Sequence, residues 1–455
     1  MVLQSFSLSP AHIEQFDRSL LTNRDSLFFE DRIHAAPEPG DLYVEQALLQ
    51  DSRELQAEQS ISLEVQLLNC QAWENCNANP QVEFAIKGEE HRSLAGPLIV
   101  QIGADRINCD NQFCIVDMPL TNDAGEIVNY WVESLDGTVL IFKSFKMRNR
   151  IVDMNASLHY FEVIGDDFPY PIDVCANVWE IFPDESDLKL PWLRKAVSAD
   201  DLNTDVDYAL LAGKLIWYGY VDARACSDGG MLANGSASTC GIEMTREKLI
   251  EWQNKYNQQI LESANQIDIP PRVVKGLVAQ ESQFWPDWKN GNEYGYGMIS
   301  DLGMDMLLTW NTDFFLKLCM TYYPKSTCMG GYSSLPLDKQ SFLRGVCLAD
   351  AGTEEEFQII ANALKAGCYQ TLRLVENITD ELPENVFTYT DLWRINLGIY
   401  NTGAGCMGEA IECAWEEYDR AMTWEEFVQY IPAYCTNAAT YFDKVTYYGS
   451  VTLDQ

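Results

Sequence analysis

The sequence predicts a multidomain α+β protein in which a β-sandwich-like domain precedes a mainly α-helical domain. The chain has 455 residues, which is too long for one ordinary domain. Apolar residues alternate with period two in short segments between residues 59 and 165, and from residue 244 onward the apolar period becomes helical. Hydrophobic residues make up 47% of the chain, so both domains can bury a core.

Composition divides the chain into four parts. Residues 1–58 are mixed and polar, with a short helix suggested only at 11–21. Residues 59–165 hold the predicted strands. Residues 166–243 form a connector rich in Pro and Asp, with a helix suggested at 201–221 and a Gly/Ser-rich loop between Cys226 and Cys240. Residues 244–455 form the helical domain, against which we expect the apolar segment 215–221 of the connector to pack.

The strands are predicted where apolar and polar residues alternate, at 61–67, 82–86, 98–102, 113–118, 128–132 and 138–142. Asp136-Gly137 lies between the last two segments and is typical of a hairpin turn. Several short strands at this spacing indicate a sandwich of two packed sheets. No side chain in it looks catalytic, so it is either a binding domain or a spacer.

Charge and hydropathy exclude several partners. The formal net charge is −37, from 68 acidic and 31 basic residues, which opposes binding to nucleic acid and to anionic lipid. The chain has no run of about 18 apolar residues, so we expect no transmembrane segment. The sequence leaves the oligomeric state open.

The 14 cysteines favour disulfides and an extracytoplasmic location. Buried free thiols are the alternative, and the pairing is left open. Many cysteines lie close together in sequence, as in Cys70 and Cys76, Cys109 and Cys114, Cys226 and Cys240, Cys319 and Cys328, and Cys406 and Cys413. No CxxC or Cys/His zinc spacing occurs, so we expect no metal and no cofactor. The first residues do not resemble a signal peptide, so this location implies a leader that is removed or lies outside the given chain.

The first helix predicted in the helical domain has Thr245 as its N-cap and an apolar stripe that ends before Pro270. The stripe consists of Leu249, Trp252, Tyr256, Ile260, Ala264 and Ile267. Pro271 is suited to the first turn of the next helix, which we expect to extend to Phe284.

Glu281 lies on the apolar face of this second helix. It follows Val274, Leu277 and Val278 by seven, four and three residues, so all four share one face. Apolar surroundings raise the pKa of a carboxyl group, and a carboxyl that is still protonated near neutral pH can act as a general acid on a glycosidic oxygen. The alternative is a glutamate that reaches water or pairs with Lys275 or Arg272.

Three motifs around and after Glu281 resemble those of the soluble lytic transglycosylases, a family of the lysozyme-like superfamily. The family has E-S-x-F-x-P at the end of its catalytic helix, and residues 281–286 read E-S-Q-F-W-P. Residues 297–300, G-M-I-S, stand where the family has G-L-M-Q. Residues 399–405, I-Y-N-T-G-A-G, match A-Y-N-A-G-x-G. The resemblance covers roughly residues 245–445.

The resemblance implies a lysozyme-like fold and cleavage of the β-1,4 bond between N-acetylmuramic acid and N-acetylglucosamine in peptidoglycan. Glu281 would be the only general acid/base, and the product would be a 1,6-anhydromuramic end formed without water. The resemblance places seven further residues at the glycan: Ser282, Asn290, Gly297, Met298, Ser300, Tyr400 and Asn401. Ser300 departs from the family glutamine, and Asn290 departs from a serine often found in the loop.

Two alternatives use the same fold. If Asp287, Glu293 or Asp301 positions a water molecule, the reaction becomes hydrolysis, as in lysozyme. If the site is inactive, the chain is a non-catalytic peptidoglycan-binding or structural envelope protein. For four aromatic residues near Glu281, stacking on sugars and packing in the core are equally expected: Trp285, Trp288, Tyr294 and Tyr296.

Histidine chemistry is excluded from the helical domain. The four histidines, His12, His34, His91 and His159, all precede it, so it contains no Ser-His or Cys-His pair and no metal site with a histidine ligand. The chain also has no phosphate-binding Gly-rich loop of the P-loop type, which disfavours a nucleotide enzyme.

Overall fold

The computed structural model describes residues 62–451 except 88–94, 110–112, 135–136, 154–156, 166, 169–172, 185 and 291–292, and it does not describe the side chains of residues 95 and 287–290. The first 61 residues, with the helix suggested at 11–21, lie outside the described residues. The described chain has a mixed α+β fold, with a region of β-sheet followed by a mostly helical region.

Two antiparallel sheets form the N-terminal region and share one hydrophobic core. The first sheet has the order β1-β3-β6, with β1 Ser62–Leu67, β3 Gln81–Lys87 and β6 Phe113–Asp117. The second has the order β2-β9-β8-β7-β4-β5, with β2 Glu74–Cys76, β4 Ala95–Ile102, β5 Asp105–Cys109, β7 Glu126–Ser134, β8 Val139–Asp153 and β9 Leu158–Ile164. Phe84 of the first sheet packs against Tyr130 of the second, with ring centroids 5.2 Å apart.

The predicted strands are present among the described residues, and Gly137 lies between β7 and β8, where a hairpin turn was expected. β7 pairs with β8 in antiparallel register across this turn, where Gly137 has φ 88°, a conformation that costs glycine little. β8 continues eleven residues beyond Phe142, the last residue of the predicted strand. β2, β5 and β9 were not predicted. β9 reads LHYFEVI and is buried along most of its length, so it lacks the alternation that marks a half-buried strand.

The helical region contains fifteen α-helices among the described residues. The first eight are α1 Val174–Val178, α2 Ala209–Trp217, α3 Thr239–Asn254, α4 Asn257–Ile267, α5 Pro271–Ser282, α6 Asp301–Trp310, α7 Thr312–Tyr322 and α8 Lys325–Cys328. The other seven are α9 Leu337–Asp350, α10 Glu356–Thr379, α11 Pro383–Val386, α12 Tyr389–Thr402, α13 Ala404–Tyr418, α14 Trp424–Phe427 and α15 Ala438–Ser450.

The connector shares its hydrophobic core with the helical region. Its residues Trp179, Trp192 and Leu211 are buried in the same core cluster as the later helices. A disulfide joins Cys175 in the connector to Cys368 in α10. The expected packing of 215–221 against the helices is seen for Leu215, which is fully buried, but the helix suggested at 201–221 is shorter and spans only Ala209–Trp217.

The predicted long helix before Pro270 is two helices, and Thr245 is not its N-cap. Ser238 caps α3 by accepting a hydrogen bond from the Gly241 amide. Thr245 lies inside α3, and its hydroxyl donates to the Gly241 carbonyl at 2.9 Å. The apolar stripe continues from α3 into α4, so its period alone could not reveal the break near Tyr256.

The helix that carries Glu281, α5, packs closely against α15 at two glycines. A Cβ on Gly276 would lie 1.9 Å from the Val445 carbonyl oxygen, and a Cβ on Gly449 would lie 2.1 Å from the Arg272 carbonyl oxygen. The backbones therefore touch at two points along an antiparallel helix pair. This contact brings the N-terminal part of α15 beside the C-terminal end of α5, where Glu281 lies.

Six pairs of cysteines are at disulfide distance: Cys70–Cys76, Cys109–Cys114, Cys175–Cys368, Cys226–Cys240, Cys319–Cys328 and Cys406–Cys435. Four of the close sequence pairs are therefore disulfides. The fifth close pair is not, because Cys406 pairs with Cys435 and Cys413 is an exposed free thiol.

The sheet and helical regions are joined by an ion pair. Lys146 of β8 lies 2.6 Å from Glu384 of α11 and also donates to the Glu180 carbonyl at 2.8 Å. Among the described residues, no helix combines the length and the apolar character that a membrane span requires.

Candidate active site

The C-terminal end of α5 places Glu281 at a cleft. Pro271 occupies the first turn, as predicted, where its missing N–H costs no hydrogen bond. The helix ends when Gln283 and Phe284 adopt positive φ values of 47° and 61°. The Gln283 side chain accepts hydrogen bonds from the amides of Leu210 and Leu211 at the start of α2, which fixes this end of the helix.

The carboxyl group of Glu281 is half-buried and has one direct side-chain partner among the described residues. The hydroxyl of Tyr441, in α15, donates a hydrogen bond to its Oε1. Burial raises the pKa of Glu281 from its ordinary value of 4.5 to about 7, the Tyr441 hydrogen bond acts in the opposite direction, and the charge of Glu293 raises it further. Glu281 therefore keeps its proton up to near neutral pH. The predicted alternatives, pairing with Lys275 or Arg272, are not seen.

Glu281 lies in the wall of a cleft of about 780 Å³. Its lining comes from Glu281 in α5, from Glu293, and from residues of the segment 298–310, of α10 and of the segment 399–405. Of the eight residues expected at the site, five line this cleft together: Glu281, Met298, Ser300, Tyr400 and Asn401. The three sequence motifs, which lie at residues 281–286, 297–300 and 399–405, thus meet at one cavity.

A buried hydrogen-bond network holds Gly297 beside the cleft. The Tyr400 hydroxyl donates to the Gly297 carbonyl at 2.7 Å, and the Gly297 amide donates to Glu356 at 2.8 Å. Glu356 is fully buried and also accepts from the Gly352 amide at 2.6 Å. A Cβ on Gly297 would lie 2.7 Å from the Tyr400 oxygen, so only glycine fits here. Gly297 thus positions Tyr400 and does not itself line the cleft.

Ser300, which stands where the resembled family has glutamine, caps the start of a helix. Its side chain accepts a hydrogen bond from the Gly303 amide at 3.1 Å and caps α6. Met298, two residues earlier, has φ 49°, which is unusual for a residue other than glycine. This strained turn directs the segment toward the cleft.

Two of the expected site residues do not reach the cleft or are not described there. The Ser282 hydroxyl is buried and donates to the Val278 carbonyl of its own helix at 3.0 Å, and Ser282 is not among the residues that line the cleft. Asn290 belongs to β10 Asp287–Asn290, whose side chains lie outside the described residues. What the resemblance treats as a loop is a three-stranded sheet of β10, β11 Glu293–Gly295 and β12 Ile299–Ser300.

The aromatic residues considered for sugar stacking are not part of the cleft lining where they are described. Trp285 is stacked between Tyr218 and Trp252, at centroid distances of 5.0 and 5.5 Å. Tyr296 is buried, and its hydroxyl hydrogen-bonds that of Tyr256. Packing is therefore the role that these contacts support. Tyr294 in β11 is not in the lining either, and the side chain of Trp288 is not described.

Of the three carboxylates considered as a second catalytic group, Glu293 lines the cleft with Glu281. Asp301 is the first residue of α6 and is not in the lining, and the side chain of Asp287 is not described. Among the described residues, no group of three or more His, Cys, Asp or Glu side chains could hold a metal ion.

Sequence reasoning missed three polar residues of the site: Tyr441, Glu356 and Gln370. Tyr441 contacts Glu281 across 160 positions of sequence, and its apolar surroundings in α15 resemble those of any core tyrosine. Glu356 and Gln370 both lie in α10, and Gln370 lines the cleft. Only Glu356 and Gln370 could have been noticed in the sequence, because they are polar residues on the apolar face of a long amphipathic helix.

Comparison of the chain with protein-family models, with curated proteins and with solved structures finds no match.

Proposed function

We propose that the protein cleaves the β-1,4 bond between N-acetylmuramic acid and N-acetylglucosamine in peptidoglycan, with Glu281 as its general acid/base. The observation that carries the proposal is a carboxyl with a pKa of about 7, half-buried in the wall of a cleft of about 780 Å³. Such a group donates its proton to a leaving oxygen and takes one back later in the same turnover.

The proposed reaction forms an anhydro product. Glu281 protonates the glycosidic oxygen, the bond from that oxygen to the muramic C1 breaks, and the acetamido group of the same sugar stabilises the positive C1. The Glu281 carboxylate then removes the proton of the sugar's O6, which closes the ring on C1. One carboxylate is enough for both steps, and a lysozyme-like helical domain of residues 244–455 is the fold that this proposal implies.

Hydrolysis is a second candidate because Glu293 lines the same cleft as Glu281. A carboxylate that positions water on the opposite side of the sugar ring would give a hydrated reducing end. The two candidates differ in what Glu293→Gln does: it abolishes hydrolysis but leaves the anhydro-forming reaction in place.

The proposed setting is extracytoplasmic, with glycan strands of the cell envelope as partner. The six disulfide pairs support it, because disulfides persist in oxidising compartments.

The test is a digest of purified peptidoglycan by wild type, Glu281→Gln and Glu293→Gln in parallel, followed by mass spectrometry of the released fragments. We expect anhydro ends from wild type and from Glu293→Gln, and a loss of at least about a hundredfold in Glu281→Gln. Hydrated ends that disappear in both variants would establish the hydrolase. If none of the three proteins releases fragments from several wall types, but wild type sediments with insoluble peptidoglycan, the protein binds peptidoglycan without cleaving it.

A further inference from the structure

A row of apolar side chains on α6 faces the cleft and not the core. Leu302, Met306 and Trp310 are spaced by four residues, so they lie along one side of the helix, and all three line the cleft. Met304 and Leu308, on the opposite side, are fully buried in the core. The side of a helix that faces away from the core is normally polar, whereas α6 is apolar on both sides.

This apolar row is open to the cleft. Leu302 is 72% exposed, and Met306 and Trp310 are half-buried. The indole N–H of Trp310 is not enclosed and has no hydrogen-bond partner in the part of the chain that the structure describes. A large apolar side chain contributes about 1.5–3 kcal/mol only when it leaves water, so the row gains little for the fold alone. Contiguous apolar surface in a concave site is typical of ligand binding.

The apolar row begins beside Glu281 and leads away from it. Ser300, the N-cap of α6, pairs in register with Glu293 of β11. Glu293 lines the cleft with Glu281, and its charge raises the pKa of Glu281, so the start of α6 is the end nearer to Glu281. Trp310 lies ten residues after Ser300, about 15 Å farther along the helix. The row therefore leads from the reacting bond into a part of the cleft that only further sugars of a strand can fill.

The chemistry of the apolar row suits sugar rings in a β-1,4-linked strand. Such a ring has C–H groups on its two faces and polar groups at its rim. The C–H faces can pack on apolar side chains, and an indole offers a rigid apolar face together with an N–H that can donate to an oxygen at the rim. These contacts do not depend on charge, which matters because a net charge of −37 repels a strand that carries carboxylates.

We propose that the apolar row binds the sugars of the strand beyond the cleaved bond, with the indole of Trp310 packed against the farthest of them, so that the protein acts preferentially on long glycan strands. The inference rests on the proposed function and extends it, because it names the strand length that the cleft selects.

The experiment compares glycan strands of two lengths. Strands are freed of their stem peptides with an amidase and separated into a long fraction and a short fraction, which cannot reach Glu281 and Trp310 at once. The variants are Trp310→Ala and Leu302→Ser, whose exposed side chain can be replaced without disturbing the core. Trp415→Ala, at a half-buried tryptophan of α13 outside the cleft lining, is the matched control.

The measured quantity is the ratio of kcat/KM on long strands to kcat/KM on short strands. We expect this ratio to fall about two- to tenfold in Trp310→Ala, the effect of losing one aromatic contact. Leu302→Ser lowers the ratio in the same direction. Trp310→Phe, which keeps an aromatic face, restores part of it, and Trp415→Ala keeps the wild-type ratio.

Two outcomes overturn the inference while the proposed function stands. In the first, wild type cleaves both fractions, and Trp310→Ala and Leu302→Ser show the wild-type ratio. In the second, Trp310→Ala loses activity equally on both fractions, which is the result that a purely structural role gives.

A wild type that cleaves neither fraction shows that the proposed function is wrong. The apolar row is then decided separately, by calorimetric titration with hexa-N-acetylchitohexaose, a neutral β-1,4-linked strand. A Kd that rises in Trp310→Ala but not in Trp415→Ala supports sugar binding at the row, and an unchanged Kd refutes it.

Discussion

Two opposing influences set the protonation of Glu281. Burial favours the neutral carboxyl, whereas the Tyr441 hydroxyl hydrogen-bonds the carboxylate and favours the charged form. Burial is the larger effect, and the resulting pKa of about 7 leaves both forms populated near neutral pH. The proposed mechanism, in which Glu281 first donates and then accepts a proton, requires this balance.

Tyr441→Phe removes the influence that lowers this pKa. The pKa of Glu281 then rises, so the protonated, acid-competent form persists to higher pH. We expect the alkaline limb of the pH profile of kcat/KM, near pH 7 in wild type, to move upward. Tyr434→Phe is the matched control, since this exposed tyrosine also donates to a carboxylate, Glu409, at 2.6 Å. An alkaline limb that stays in place or moves downward would contradict the assignment.

At the scale of the element, the position of Tyr441 depends on how closely α15 approaches α5. Both contact points of this helix pair use glycine, at Gly276 and Gly449, and each opposes a backbone carbonyl. Any side chain at either point pushes the helices apart. The two glycines therefore set the separation between Tyr441 and Glu281.

Gly276→Ala tests this dependence. The new Cβ would lie 1.9 Å from the Val445 carbonyl oxygen, so we expect destabilisation by about 1–3 kcal/mol or more, together with reduced activity. The control is Gly345→Ala in α9, where a Cβ meets nothing within 4 Å. Alanine there should stabilise the helix by about 0.5–1 kcal/mol. Thermal unfolding measures both, and equal effects of the two substitutions would refute the close-packing argument.

The sequence alone predicts those helices and strands whose position is determined by a local pattern of residues. Strand alternation located β1, β3 and β7, and the double proline located the start of α5. The break between α3 and α4 was not predicted, because the apolar stripe continues from one helix into the next. The N-cap was misplaced at Thr245 because a serine seven residues earlier, Ser238, caps the helix instead.

For the site, sequence could supply the residues that share a recognisable motif, and five of them line one cleft. It could not supply Tyr441 or Gln370, because their positions depend on helix packing between segments far apart in the chain. It did not predict that the Ser282 hydroxyl donates to the backbone of its own helix, because a serine near a helix end can turn back as easily as it can face a ligand.

At the scale of the whole molecule, the disulfide between Cys175 and Cys368 links the connector to α10. It spans 193 residues, a loop that contains α5 and Glu281. Cross-linking so long a loop restricts the unfolded chain by about 5 kcal/mol in the chain-entropy model. The connector is thus held in the helical core by covalent as well as apolar contacts.

Replacing both cysteines of this bond by serine should lower the free energy of unfolding by up to about 5 kcal/mol. Removing Cys226–Cys240, whose separation is 14 residues, is the matched control and should cost about 3 kcal/mol. Denaturant unfolding of the two double variants compares them. A smaller loss for the long loop than for the short one would show that the unfolded chain retains structure that already joins the two regions.

The same bond dictates the order in which thiols must react while the chain is being made. Cys175 emerges from the ribosome long before Cys368, and Cys226, Cys240, Cys319 and Cys328 all appear in between. An oxidant that joins cysteines in order of appearance would link Cys175 to Cys226. The native pairing therefore requires either that Cys175 stays reduced until Cys368 appears or that early disulfides exchange with free thiols, so we expect oxidative refolding of the reduced protein to be faster when a disulfide isomerase is present.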